Sequence, residues 1–335
     1  MTLETLRFLT HEERANRVQT LEYRVMVFTP RGMYPQGTFH VPNGFFHADE
    51  EIAFSVILGE SWRTLDPDVP FSEFDWATPQ ELRLIASLIL CEVMDGPYVR
   101  LYPLVRFSPW LNARDLDLSS SVTVHQVREL LMDYAGQAPS IRNEFSPLVS
   151  CRSQYDLTEP KEFAMDRQRE FWDALAAPNY VLVRGVYALM KSDMLSSHYE
   201  FSEEAVHALY IALDASFVMV IRQLKKQGVT NPTAHDAQVW VHQHFNAAFG
   251  LVAPEAADKY FGEFYEQRVM TFHPASRYGD LPFSPNMHDD IFYLRRWLRE
   301  IFGYLLIGRH DPGHEDALRK HRESNLQPSS SASGA

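Results

Sequence analysis

One stretch near residue 270 places two polar, chemically active side chains between two amphipathic helices. Apolar residues recur at three- and four-residue spacing over about 253–272 and again over about 287–306, which predicts two helices. Between them Pro274 disfavours helical backbone at His273, and a loop rich in proline, glycine and serine follows. On a continuous helix Arg268 and His273 would diverge by about 140°. Because the helix ends there, the sequence predicts that both point into one notch.

Hydrophobic patterning divides the chain into an α+β first part and an all-helical second part. We predict an α+β domain over 1–157, a helical bundle over 158–309 and a charged, disordered tail over 310–335. Short connections between the helices favour an antiparallel bundle. The first part is predicted from β-rich segments near 21–28, 38–46 and 52–58, from a helix that starts at Thr78-Pro79-Gln80-Glu81, and from a helix capped by Ser121 or Thr123.

Composition favours an intracellular protein without a broad nucleic-acid-binding surface. The 335 residues suffice for two domains, and the two cysteines are too few for a disulfide framework. The formal net charge of −13 disfavours a wide electrostatic grip on phosphates. No uninterrupted apolar run approaches the roughly 18 residues of a membrane span, and the first residues lack signal-peptide character. We therefore expect a cytoplasmic location and no membrane association.

The arrangement around Arg268 and His273 resembles the HEPN superfamily and its Arg-x4-6-His motif. The resemblance covers about 160–308 and rests on the sequence around the motif rather than on the two residues themselves. The segment 201–214 is similar to the long opening helix of these modules, which often carries an acidic residue at the place of Asp214. The segment with Asp289, Asp290, Leu294, Leu298 and Leu305 is similar to their closing helix.

The resemblance implies metal-independent RNA cleavage. His273 would take a proton from a ribose 2′-hydroxyl or give one to the leaving 5′-oxygen. Arg268 would hold a phosphate oxygen and stabilise the extra charge on five-coordinate phosphorus. Asp214 would fix the orientation of the arginine or the histidine. Since one histidine cannot easily be both base and acid, a homodimer is expected to supply the second.

The resemblance leaves two functions open. The first is a ribonuclease that acts as a toxin or defence effector, with RNA as substrate, a neutralising or regulatory protein as partner and a sensing role for the first domain. The second is a non-catalytic nucleotide-binding, RNA-binding or dimerisation module. Val269 favours the second, because many active members carry a polar residue directly after the arginine. An unrelated structural bundle is a third possibility.

Several further side chains have the chemistry to bind a substrate or a metal. Arg295, Arg296 and Arg299 cluster on the last predicted helix, as a solvated face or as a patch that guides phosphates, and Tyr265 lies next to the motif. These four are the predicted substrate-binding residues. No cofactor or metal is predicted, although His310, Asp311, His314, Glu315 and Asp316 have the chemistry of ligands. Their place beside the predicted tail argues against a site.

Overall fold

A computed structural model shows two compact units. The residues that the structure describes are 6–10, 12–13, 21–29, 35–60, 77–94, 102–103, 109–137, 163–175, 179–196, 198–272 and 288–326. One unit comprises 1–91 with 97–178, and the other comprises 92–96 with 179–335. The predicted linker, about 137–160, lies almost entirely outside the described residues. After residue 97 the chain passes from the first unit to the second at 178–179, whereas the sequence predicted the domain boundary near 157.

The first unit is built on an antiparallel sheet. Its strands are β1 (Glu22–Thr29), β2 (Gly37–Val41), β3 (Gly44–Ala48), β4 (Ala53–Gly59) and β5 (Tyr102–Pro103), in the order β2-β3-β4-β1-β5. In the central register Val25 of β1 faces Val56 of β4, which in turn faces Phe45 of β3. These side chains are fully buried and form one core with Val127. Met26 and Phe28, on the opposite face of β1, are buried as well, so both faces of this strand are covered.

Three helices complete the described part of the first unit: α1 (Pro79–Ile89), α2 (Ser121–Gln137) and α3 (Gln168–Ala174). Helix α1 starts with the predicted capping box, in which Thr78 and Glu81 each accept a hydrogen bond from the other's backbone N–H. Helix α3 joins this unit because Gln168 donates to the Ser87 hydroxyl on α1. That buried contact is why the unit boundary lies after α3.

The second unit is helical. It contains α4 (Tyr180–Ser196), α5 (Ser202–Lys226), α6 (Ala234–Val241), α7 (Gly262–Phe272), α8 (His288–Ile307) and α9 (Pro312–Leu326). Helix α5 packs against α4, α6 and α8. In α4 a Cβ at Gly185 would lie 2.5 Å from the Phe302 ring and 3.0 Å from Ala215, so glycine permits this close packing. The predicted order, an α+β part followed by a helical part, is confirmed.

Helix α5 is the one described helix that could cross a membrane by length and composition alone. Over half of its most apolar window, 56%, is buried inside the unit. The core helix of a soluble protein has the same properties, and α5 has three helical neighbours.

Three predicted boundaries are wrong. The helix predicted from residue 253 begins only at Gly262, because Phe261 has a φ of 45° that helical backbone cannot adopt. Apolar spacing also predicts one helix over about 230–249, but the helix starts only at Ala234. Its last part is a π-helical turn, His242–Asn246, followed by a 3-10 turn, Ala247–Phe249. The tail predicted as disordered contains α9, whose first turn is buried at His314.

Candidate functional site

Helix α7 is fixed on the unit by the residues just before it. The Tyr260 hydroxyl lies 2.9 Å from the Ser216 hydroxyl of α5, and the Tyr260 N–H donates to the Ala234 carbonyl of α6. Burial raises the pKa of Tyr260 despite this hydroxyl contact, so it stays a neutral hydrogen-bonding group. One turn later Phe264 is buried and stacks on Tyr293 of α8. These contacts hold the start of α7 against α5, α6 and α8.

The predicted arginine on α7 and the predicted acidic residue on α5 are in direct contact. Nη1 of Arg268 donates a 2.8 Å hydrogen bond to Oδ1 of Asp214, across 54 residues of sequence. The pair is open to solvent, with 32% of the arginine side chain and 53% of the aspartate side chain exposed. Among the described residues the guanidinium bonds through Nη1 alone. Its remaining N–H groups could therefore bind an anion.

The carboxyl group of Asp214 has a perturbed pKa. Partial burial raises the pKa above its ordinary value, and the charge and hydrogen bond of Arg268 offset only part of this effect. The side chain is nonetheless about half exposed, so solvent moderates the perturbation. A perturbed carboxyl beside an accessible arginine is a common feature of functional sites, although ion pairs of purely structural role produce it as well.

The other predicted residues of the notch are placed only in part. His273 lies outside the described residues, so the predicted distance to Arg268 stays a prediction. Tyr265 lies on α7 one turn before Arg268 and is 42% exposed, which keeps it accessible to a ligand. Val269 is half-buried on the same helix.

The predicted arginine patch on α8 is wrong for two of its three members. Arg295 is 1% exposed and donates to both carboxylates around it, to Glu92 at 2.5 and 2.6 Å and to Asp193 at 2.7 Å. Arg299 is also buried and donates to Asp311 and to the Glu92 carbonyl, each at 2.6 Å. Neither guanidinium can reach a phosphate on the surface.

This buried network explains why the sequence pattern misled. Burial alone would lower the pKa of Arg295. The two carboxylates outweigh this effect and raise the pKa above its ordinary value, so the guanidinium is always charged. Arginines four residues apart on an amphipathic helix ordinarily face solvent. In this protein, however, the acidic partners of Arg295 are far away in the sequence. The separations are 102 residues for Asp193 and 203 for Glu92, and no local signal connects such positions. Arg296 is half-buried and remains a candidate for substrate binding.

A second group of side chains with the chemistry of metal ligands lies between the end of α8 and the start of α9. Nδ1 of His314 is 2.7 Å and Nδ1 of His310 is 3.6 Å from Oε1 of Glu300. Each of the three residues offers one possible ligand atom, a ring nitrogen or a carboxylate oxygen, and these three atoms lie within 4.8 Å of one another. Such an arrangement can hold a metal ion. Burial raises the pKa of Glu300, but the neighbouring histidines and Arg299 outweigh it and lower the pKa to about 2. Both histidines fall in the segment that was predicted to be a disordered tail, which is why no site was predicted there.

Comparison with known proteins adds no family to this description. No protein-family model, no curated protein and no solved structure matches the chain.

Proposed function

We propose that the second unit is a HEPN-like, metal-independent ribonuclease that acts in the cytoplasm as a toxin or defence effector. The contact between Arg268 and Asp214 supports this proposal most strongly. The resemblance to the superfamily named both residues and gave Asp214 the task of orienting a catalytic side chain. An ion pair between helices α5 and α7, open to solvent, is suited to that task.

The proposed reaction needs only protein side chains and the RNA itself. His273 removes the proton of a ribose 2′-hydroxyl, whose oxygen attacks the adjacent phosphorus. The phosphorus–5′-oxygen bond then breaks, and a proton is delivered to the departing oxygen. Arg268 donates hydrogen bonds to a non-bridging oxygen, where negative charge accumulates in the transition state. The products are a 2′,3′-cyclic phosphate and a 5′-hydroxyl.

A homodimer would supply the second acid–base group. His273 of one protomer would act as the base and the same residue of its partner as the acid. The surface of α5 beside Asp214 is suited to such a contact, because Ile211 and Val218 are 41% and 37% exposed. They lie three residues before and four residues after Asp214, so all three share one face of the helix. We place the dimer contact on this face.

The alternative is a non-catalytic module that binds a nucleotide or RNA, or only dimerises, with the same residues. It is favoured by Val269, which is half-buried beside Arg268 and offers no hydrogen bond to a reacting phosphate. In this case Arg268 would hold a phosphate group that is not cleaved.

Cleavage of single-stranded RNA in EDTA separates the two functions. Wild type should cut, and His273→Ala should lower the rate at least about 100-fold, the smallest usual contribution of a general acid or base. Arg268→Ala should have a comparable effect. Asp214→Asn should cost about 100-fold through misplacement of the guanidinium. The control is Arg319→Ala, which removes an exposed arginine of α9 away from the proposed site and dimer face and should leave the rate unchanged.

Two results would contradict the ribonuclease proposal. One is a folded wild type that is inert on a broad panel of RNAs, and the other is cleavage by His273→Ala at the wild-type rate. Binding of RNA that is lost in Arg268→Ala, without cleavage by wild type, would instead support the alternative. Circular dichroism of each variant at the assay temperature and in the same EDTA buffer shows whether the fold is intact.

A further inference from the structure

We infer that Glu300, His310 and His314 bind a divalent transition-metal ion, and that zinc is the best match. Two imidazoles and one carboxylate are a ligand set that zinc uses with three protein ligands and one exchangeable position. Harder ions such as Mg²⁺ and Ca²⁺ prefer oxygen ligands alone. This site is separate in its residues from the proposed ribonuclease site and does not depend on it.

The distances fit a shared central ion. Ligands about 2.0–2.1 Å from a tetrahedral zinc lie about 3.3 Å from each other. The two observed separations from Glu300 Oε1, 2.7 and 3.6 Å, lie on either side of this value. Oε1 of Glu300 and Nδ1 of both histidines are buried and have no partner with hydrogen-bond geometry among the described residues. Ligand atoms in a metal site behave in this way, since their lone pairs face the ion rather than each other.

The charge around the group favours a bound cation. Asp311 pairs with Arg299, which also approaches Glu92, and Glu92 pairs with Arg295 and hence with Asp193. Beside this network Glu300 is a buried carboxylate whose Oε1 has no hydrogen-bond partner among the described residues. Burial of a carboxylate is costly, and a divalent ion bound at Glu300 would offset that cost.

The backbone brings the two histidines to Glu300 by an ordered turn. Gly308 has a φ of 70° and its N–H donates to the Tyr304 carbonyl, which ends α8 and reverses the chain. Asp311 then caps α9, because its Oδ1 accepts the N–H of His314 at 3.0 Å. Because Arg299 holds the carboxylate of Asp311, and Asp311 accepts the His314 N–H, the ion pair also fixes the position of His314.

Aromatic rings surround the imidazoles and restrict water. The ring centroid of His310 lies 4.9 Å from that of Phe245 and 4.7 Å from that of Tyr304, and Phe249 packs on His314 at 5.3 Å. Phe245 is carried by the π-helical turn, a form often found at functional sites. His310 keeps 20% of its side chain exposed, which gives an ion and one water molecule a path to the site. An ion here would join the end of α8 to the start of α9.

Metal analysis of the full chain, prepared without a polyhistidine tag, tests the inference. After chelation and dialysis, titration with zinc sulfate should show one ion bound per chain and should raise the thermal midpoint, whereas magnesium should do neither. Zinc-edge X-ray absorption should find imidazole nitrogens at about 2.0–2.1 Å. Glu300→Gln and His310→Asn should each weaken zinc binding by about 100-fold or more. Loss of a residue that only supports a metal ligand already weakens binding by up to about 100-fold. His198→Asn, at an exposed histidine of the same unit, should bind as wild type does.

The two ligand variants keep the test decisive if one of them fails to fold. His310 is the more exposed ligand, so His310→Asn should retain the wild-type circular dichroism spectrum. A folded wild type that binds no zinc, or a folded His310→Asn that binds it unchanged, would overturn the inference. Neither result would affect the RNA cleavage expected of Arg268 and His273, because the proposed reaction uses no metal.

Discussion

Replacement of Arg295 by methionine should destabilise the second unit more than any single surface change. Methionine matches the length of the arginine stem but leaves Glu92 and Asp193 as buried carboxylates without their shared cation. Four hydrogen bonds of 2.5–2.7 Å are lost at once. Breaking a buried ion pair from one side costs about 3–5 kcal/mol. For a unit of this size we expect the thermal midpoint to fall by on the order of 10 °C.

The assay is thermal and urea unfolding followed by circular dichroism, with Arg319→Met as the control. Arg319 also pairs with an aspartate, Asp316, but at the surface of α9, so its removal should leave the midpoint unchanged within error. A triple variant, Arg295→Met with Glu92→Gln and Asp193→Asn, should recover part of the loss, since no charge remains buried without a partner. Equal midpoints for Arg295→Met and Arg319→Met would refute the assignment of a buried network.

The remaining predictions concern packing, capping and pH. Gly313→Ala should cost about 1–3 kcal/mol in urea unfolding, because its Cβ would lie 2.5 Å from the Met94 carbonyl oxygen. Thr78→Ala should cost about 1 kcal/mol, and Thr78→Ser should restore it, since the serine hydroxyl can accept the same hydrogen bond. Burial raises the pKa of Asp49, but Arg128 and two backbone N–H groups outweigh it and lower the pKa. The stability that Asp49 contributes should therefore be present above the ordinary aspartate pKa and lost as the pH falls through its lowered value. Asp49→Asn should remove this part of the acid dependence in urea midpoints measured from pH 7 to pH 3 if the reasoning is correct.

Local sequence signals predicted the elements that are fixed by short-range physics. The capping box at Thr78 and Glu81 marks the start of α1, and the apolar stripe of α8 gives both of its ends to within one residue. The β-rich segment predicted at 21–28 corresponds to β1, Glu22–Thr29. Each of these features depends on neighbours in the sequence, so it could be seen without a structure.

Contacts between distant segments account for the failures. The tail prediction weighed the many charges after Arg309 and overlooked Asp311-Pro312-Gly313, in which an N-cap residue precedes a proline suited to the first helical turn. Gly313 is needed there because α9 approaches the backbone of Met94, 219 residues earlier in the numbering than Gly313. The positive φ of Phe261, which shortens α7, likewise depends on Tyr260 being held by α5 and α6.

The candidate site was predictable to the extent that a family resemblance named its residues. Asp214 was assigned a supporting role from its place in a helix similar to the opening helix of HEPN modules, and the structure places its carboxylate against Arg268. The helix pattern alone could not pair two residues 54 positions apart. The arginines of α8 show what sequence alone could not reveal. Arg295 and Arg299 were predicted to bind substrate at the surface, but both form ion pairs in the interior.

Identification of the RNA ends left by the purified wild type tests the ribonuclease proposal most directly. In EDTA, and on RNA that is labelled at either end, attack by the 2′-oxygen should leave a 2′,3′-cyclic phosphate and a 5′-hydroxyl. The same RNA with every 2′-hydroxyl methylated should stay intact. Products with a 5′-phosphate and a 3′-hydroxyl, cleavage of the methylated RNA, or no cleavage of any RNA by the folded protein would contradict the proposal.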